Sequence, residues 1–416
     1  MKKMLLIVMI MVMLFLTTIL YLIIGGSGNS STLSNCSVNL NYDGALGRST
    51  MGMQDGGYVI ATSAMMVETG DSDMLLLQLD SLGSEIRQMP IGSSLNETGL
   101  YITPTFGSGY VIAGLVERPG WHDNPGVRTH NIYMVALDST LDLLWETTFY
   151  FQHIASVVTT SDGGYVIAGN NVLDDRKQVF LIKVDSLGRT VWDKLLAPRG
   201  WESCKSMILI PGGYFVLTGW AFSLENTSAD IYLAKADSSG NLLWKKYYSM
   251  TDSTSGHGLN IKDYEVGWSV SSTPDAGFII TGHRGTVETG IDSRDLRAND
   301  DLIIVKTDSL GLVVWERAYN LNIGQRGYSV IPDYNGGYAV AGITRANNEI
   351  DEDILVVKID ESGTLIWTKV FEDPGSEKVQ CILQAINGDY FITVTGASDK
   401  IANMGKYMIR IDPDAE

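Results

Sequence analysis

Cysteine is nearly absent: Cys36, Cys204 and Cys381 are the three in 416 residues. An odd, widely spaced set excludes a disulfide framework, and the three read as small buried apolar side chains. Basic residues are also short, with 30 Lys and Arg against 48 Asp and Glu and a formal net charge of −18. So acidic a chain lacks the basic face that tracks phosphates, which excludes nucleic acid as a partner. Proline (10) and histidine (5) are few. No Gly-x-Ser-x-Gly elbow, His-Glu-x-x-His pair or Gly-x-x-x-x-Gly-Lys phosphate loop occurs. After residue 24 no stretch carries the apolar periodicity of a helix.

What is present is a globular composition, 45% hydrophobic, with 44 glycines that imply many tight turns. Lys2 and Lys3 precede an apolar run from Met4 to Ile24, broken only by Thr17, Thr18 and Tyr21. At about 1.5 Å per residue such a helix spans a hydrocarbon core of about 30 Å. Secretory apolar segments are shorter, about 7–15 residues, so residues 1–24 read as a membrane anchor with the rest of the chain extracytoplasmic. A cleaved signal peptide, giving a secreted protein, is the alternative, because Gly26-Ser27-Gly28 offers small residues. Residues 25–35 read as a flexible spacer.

The remainder repeats. A Gly-Gly-Tyr-like phrase places its aromatic at Tyr58, Tyr110, Tyr165, Tyr214, Phe278, Tyr338 and Tyr390, in steps of 52, 55, 49, 64, 60 and 52 residues. An apolar run ending in an acid follows each, at Asp80, Asp138, Asp185, Asp237, Asp308, Asp360 and Asp412. A tryptophan closes five copies, at Trp145, Trp192, Trp244, Trp315 and Trp367. Within one copy, 155–160 is β-branched, Ser161-Asp162-Gly163-Gly164 supplies a reversal, and 165–169 returns. Residues 179–184 and 189–196 then form two more strands around an Asp185–Gly188 turn. Four antiparallel strands in about 50 residues is the size of a propeller blade.

The seventh copy stops after its third strand, while Cys36–Asp43 has no partner. Pairing that segment into the last copy, with Val38 in the place of Trp367 and Tyr42 in that of Phe371, removes a sheet edge. The expectation is an all-β, seven-bladed β-propeller of four-stranded antiparallel blades over residues 36–416. The N-terminal strand closes it, and one hydrophobic helix precedes it.

These units resemble the Gly-Gly-Tyr…Asp-x-x-Gly…Trp repeats of secreted and surface β-propeller proteins of bacteria and archaea. More distantly, Asp185-Ser186-Leu187-Gly188-Arg189-Thr190-Val191-Trp192 is similar to the tryptophan-docking motif of quinoprotein-type propellers. The resemblance implies a fold and blade-to-blade docking, and no recognisable quinone-binding set accompanies it. The stretch resembles the sialidase Asp-box less well, since both of its spacings are one residue longer.

The recurring Asp residues read as turn formers accepting backbone N–H groups, and the five tryptophans as packing between blades. Lys183, Lys235, Lys306, Lys358 and Arg410, two residues before the acid, read as charges paired between blades. The residues that break the pattern are the candidates for binding. Trp121, Trp201, Trp220 and Trp268, with His153 and His283, fall by strand order in or beside the loops joining strands 2–3 and 4–1, which share one end of a propeller. Aromatic platforms beside carboxylates suit a glycan or protein ligand. Acidic loops at 71–73, 174–175, 292–301 and 351–353 share that end and read as solvated; no cofactor is predicted, with Ca²⁺ as the alternative they would hold. The function expected is therefore a tethered or secreted binding module. The alternatives are a propeller enzyme (hydrolase, lyase or quinone-dependent oxidoreductase) using His and Asp on the loop end, and an architectural surface protein.

Overall fold

A computed structural model of the chain describes residues 33–34, 50–53, 57–65, 72–81, 84–93, 95–117, 130–151, 153–173, 176–196, 201–222, 229–250, 261–288, 300–321, 323–345, 352–372, 377–385, 387–398 and 401–413. Every regular element among them is a strand. After β1 (Leu33–Ser34), the first unit is β2 (Thr50–Gly52), β3 (Tyr58–Met65), β4 (Ser72–Leu79) and β5 (Glu85–Ile91). The second is β6 (Glu97–Pro104), β7 (Tyr110–Glu117), β8 (His130–Leu137) and β9 (Leu143–Phe149). The third is β10 (His153–Thr159), β11 (Tyr165–Leu173), β12 (Arg176–Val184) and β13 (Thr190–Leu195). The fourth is β14 (Trp201–Ile210), β15 (Tyr214–Phe222), β16 (Ala229–Ala236) and β17 (Leu242–Tyr248). The fifth is β18 (Ile261–Ser272), β19 (Phe278–Glu288), β20 (Asp301–Thr307) and β21 (Val313–Tyr319). The sixth is β22 (Ile323–Pro332), β23 (Tyr338–Arg345), β24 (Glu352–Ile359) and β25 (Leu365–Phe371). The last is β26 (Glu377–Gln384), β27 (Tyr390–Ser398) and β28 (Ile401–Ile411).

Each unit is an up-and-down antiparallel sheet; the fourth and fifth also share one parallel bridge, Ala229 opposite Tyr264, and so read as one eight-stranded sheet. Successive units pack face to face in chain order, inner strand to inner strand, which is the arrangement of a β-propeller. Middle strands are covered on both faces, so all eight residues of β8 and of β24 are buried. Fourth strands lie outermost, and β13 and β25 are mostly exposed.

The tryptophans join neighbours. The indole of Trp145, in the second unit, lies on Gly188 of the third, where an added Cβ would come within 2.7 Å of the ring, and its Nε1 donates to Ser186 O at 2.8 Å. Trp192 covers Gly240, Trp244 covers Gly311 and Trp315 covers Gly363 in the same way. These glycines hold positive φ in the turn that the Asp residues shape. Asp185 Oδ1 accepts from Leu187 N and Arg189 N, both at 2.9 Å, and Asp138, Asp237, Asp308 and Asp360 repeat this two and four residues on. In the first unit Asp80 Oδ1 accepts from Ser84 N.

Three expectations change. The basic residues before the turn bind acids of their own unit, Lys183 to Asp162 and Lys306 to Asp275 at 2.7 Å, Lys358 to Asp333 at 3.2 Å and Arg410 to Asp389 at 2.6 Å. They hold the strand 1–2 turn to strand 3 rather than joining blades. Lys235 has no such acid in its turn and lies over the Tyr214 ring at 4.5 Å. In the fourth unit Phe215, not Tyr214, takes the place of Tyr165. Phe215 pairs with Ala236 as Tyr165 pairs with Val184, because Gly212-Gly213 sits one position earlier against the ladder than Gly163-Gly164. At the N-terminus, β1 pairs with β28, Leu33 opposite Ile409 and Ser34 opposite Met408; the segment 36–43 expected there lies outside the described residues. So do residues 1–24. Among the described residues no helix is long and apolar enough to cross a membrane.

Candidate functional site

The inner strands share an irregularity. In β6, β10, β14, β18, β22 and β26 the register against the next strand slips by one residue, leaving Leu100, Ala155, Lys205, Trp268, Tyr328 and Gln380 as bulges. The slip crowds the partner strand: a Cβ on Gly219 would lie 1.8 Å from Ser203 O, and one on Gly169 2.2 Å from His153 O, so only glycine fits. After the bulge, Ser206, Ser269 and Ser329 accept from Val270 N, Val330 N and Ile382 N of the following unit at 3.2–3.4 Å. Neighbouring bulge residues also meet. Lys205 Nζ sits 4.3 Å above the Trp268 ring, and Trp268 meets Tyr328 edge-on at 5.2 Å.

Trp268 is otherwise engaged. Its Nε1 donates to His283 Nδ1 at 2.8 Å, which places the imidazole proton of neutral His283 on Nε2, and Tyr264 closes on the His283 ring at 5.6 Å. His283 is 3% exposed and lies within β19, while Trp268 lies within β18 and Trp220 within β15. These three are therefore strand residues rather than loop residues, because the strands run longer than the repeat suggested. Trp268 and His283 form a packed support, not an open stacking face.

The open aromatic surface is on the fourth unit. Trp201, 47% exposed, and Phe222, 41% exposed, face each other across β14 and β15, and Trp220 meets Phe222 edge-on at 5.3 Å. Lys177 Nζ lies 5.8 Å from the Trp220 ring. Burial and the charge of Lys177 push the Lys205 ammonium down to about 8, and burial lowers Lys177. At the start of β10, His153 is held below its ordinary range by restricted hydration and then by Lys177, Lys205 and His130. The structure thus brings together Trp201, Trp220, His153, Trp268 and His283 on the third to fifth units, and Trp121 lies outside the described residues. Lys177, Lys205, Phe222, Tyr264 and Tyr328 were missed. A signal for four of the bulge residues existed, since Ala155, Lys205, Trp268 and Tyr328 each precede the serine that recurs in the inner strands at Ser156, Ser206, Ser269 and Ser329.

The acidic loops are not simply solvated. Asp300, 1% exposed, accepts from Tyr264 Oη at 2.6 Å and Arg326 Nε at 2.5 Å, Asp301 pairs with Arg284 at 3.1 Å and Glu352 with Arg345 at 3.6 Å. Among the described residues no group of three or more His, Cys, Asp or Glu side chains is placed to hold a metal ion.

No protein-family model matches the sequence, and no curated protein matches it. Solved structures similar to it include a europium-containing methanol dehydrogenase, 11% identical over 86% of this chain and 80% of that one, with a TM-score of 0.48. The β-propeller domain of the Trilobed protease from Pyrococcus furiosus is 8% identical over 88% and 92%, with a TM-score of 0.47. The Dos1 propeller is 10% identical over 91% and 94%, with a TM-score of 0.46.

Proposed function

We propose that the chain is a carbohydrate-binding propeller of seven blades, closed by β1 and held outside the cytoplasm by its N-terminal apolar run. The observation that carries the binding role is the cluster of exposed Trp201 and Phe222 with half-buried Trp220 at the loop end of the fourth unit. Indole and phenyl faces take the C–H face of a sugar ring, while flanking polar groups bond its hydroxyls. Closure is supported by the packing of the last unit on the first through Tyr58, Ile60, Phe391 and Met408. The test is glycan-array binding followed by calorimetry on the full chain. Trp201→Ala and Trp220→Ala should each weaken binding about ten-fold, or 1.4 kcal/mol, without lowering the thermal midpoint. Absence of glycan binding, or binding indifferent to both substitutions, overturns the reading and leaves a protein ligand as the alternative.

The direction of β1 supports an orientation. β28 runs from the loop end to the turn end and β1 runs antiparallel to it, so the chain enters β1 from the turn end. An anchor over residues 1–24 then sets the turn end toward the membrane and the aromatic cluster away from it. A membrane-bound mature chain that still carries residues 1–24 supports the anchor; a soluble chain beginning near Gly26 overturns it.

A further inference from the structure

Resting on that binding site, we infer that its ligand is an acidic sugar whose carboxylate is received by Lys205 and Lys177, with its ring on the Trp201–Phe222–Trp220 surface. Most buried lysines of the strands are paired with an acid, Lys235 over the Tyr214 ring being a further exception. Lys183, Lys245, Lys306 and Lys358 are largely buried, and each has a carboxylate oxygen within 2.5–3.2 Å. Among the described residues Lys205 and Lys177 have aromatic rings instead, at 4.3 and 5.8 Å. A cation–π contact returns less than a desolvated ammonium loses without an anion.

Among the described residues the charged and titratable groups around this point are Lys177, Lys205, His153 and His130, with the buried thiol of Cys204 behind Lys205. Cations predominate among them in a chain of net charge −18. The whole-molecule field disfavours small free anions, whereas a ligand that also stacks an apolar face gains enough to approach. A uronate offers both parts, a C–H ring face for the indoles and a carboxylate for the ammonium groups.

The experiment is calorimetric titration of the full chain in detergent with trigalacturonate and with neutral α-1,4-galactotriose, at pH 7. Trigalacturonate should bind at least about ten-fold tighter than the neutral trisaccharide. Lys205→Met and Lys177→Met should each collapse that preference, while Lys205→Arg keeps it. Equal affinity for the two sugars, or a preference that survives both methionine variants, overturns this inference and leaves the carbohydrate-binding reading standing. Binding of neither sugar overturns both. Circular dichroism of each variant separates misfolding from lost recognition, and the arginine variant carries the test if the methionine variants misfold, since loss of the preference there also overturns the inference.

Discussion

The hydroxyls of Thr50 and Thr393 lie 2.6 Å apart in the interior although 343 residues separate them in sequence. Beside them the rings of Tyr58 and Phe391 approach to 4.6 Å. The first and last units thus share an apolar seam like those between consecutive units.

Removing the ring from that seam tests its weight. Phe391→Ala should destabilise the chain by about 3–5 kcal/mol, the usual cost of a large buried aromatic, and Phe391→Leu by clearly less. Urea denaturation followed by tryptophan emission measures both, and an alanine variant within 0.5 kcal/mol of the parent would deny the seam any role.

The turn glycines under the docking tryptophans are expected to be intolerant for two reasons at once. Gly240 holds φ 78°, and a Cβ there would lie 2.7 Å from the Trp192 ring. Gly240→Ala should therefore cost about 1–3 kcal/mol. Gly52, with nothing within 4 Å of an added Cβ, is the control, and Gly52→Ala should stay within about 0.5 kcal/mol in the same thermal melts.

Acid should weaken the turn staples. Burial alone would raise the Asp275 carboxyl, but Lys306, Thr273 Oγ1 and Gly277 N outweigh it and hold it down to about 2, below an unfolded value of 3.8. A folded pKa below the unfolded one contributes stability present above pH 3.8 and lost as pH falls through 2. Asp275→Asn should lose this part of the acid dependence and be less stable at pH 7 by about 1–3 kcal/mol, because the buried Lys306 loses its anion. Urea midpoints at pH 7 and between pH 4 and 2 check both statements.

Lys205 should act in the opposite sense. Its folded pKa of about 8 lies below the unfolded 10.5, so between those values the unfolded chain binds more protons and stability rises with pH. Below pH 8 the folded state carries the unfavourable ammonium in full. Lys205→Met should be more stable than the parent at pH 7, on the order of 1 kcal/mol, with the difference closing toward pH 10.5. Paired melts at pH 7 and pH 10 decide it; a methionine variant weaker at pH 7 contradicts the expectation.

The thiols should be inert in the folded chain. Cys204 and Cys381 are buried and unpaired as thiols, and burial pushes Cys204 up to about 12. Iodoacetamide at pH 8 should leave both unmodified by peptide mass mapping until denaturant is added.

Much of the scaffold was legible because its signals are local. An Asp that binds the amides two and four residues on and a Gly with positive φ are fixed by a few consecutive residues, so they stand out in the chain. Tyr214 misled because the Gly-Gly pair of its turn sits one position earlier against the ladder, so the residue after it is not the one that meets Ala236, which pairing reveals and spacing does not. The site was less legible. Trp268 and His283 look alike as irregular residues in the sequence, yet one donates to the other inside a packed layer. Lys205 becomes notable once Lys183, Lys245, Lys306 and Lys358 are seen to have their acids, a comparison that needs three dimensions.

The bulges have a consequence for how such a molecule can change. Lys205, Trp268, Tyr328 and Gln380 sit outside the ladder of their own strand, and pairing resumes one residue later. A new side chain at any of them changes what the inner strand presents while the hydrogen bonds that define the sheets stay as they were. Such positions can therefore vary one at a time on a frame that need not relearn how to fold.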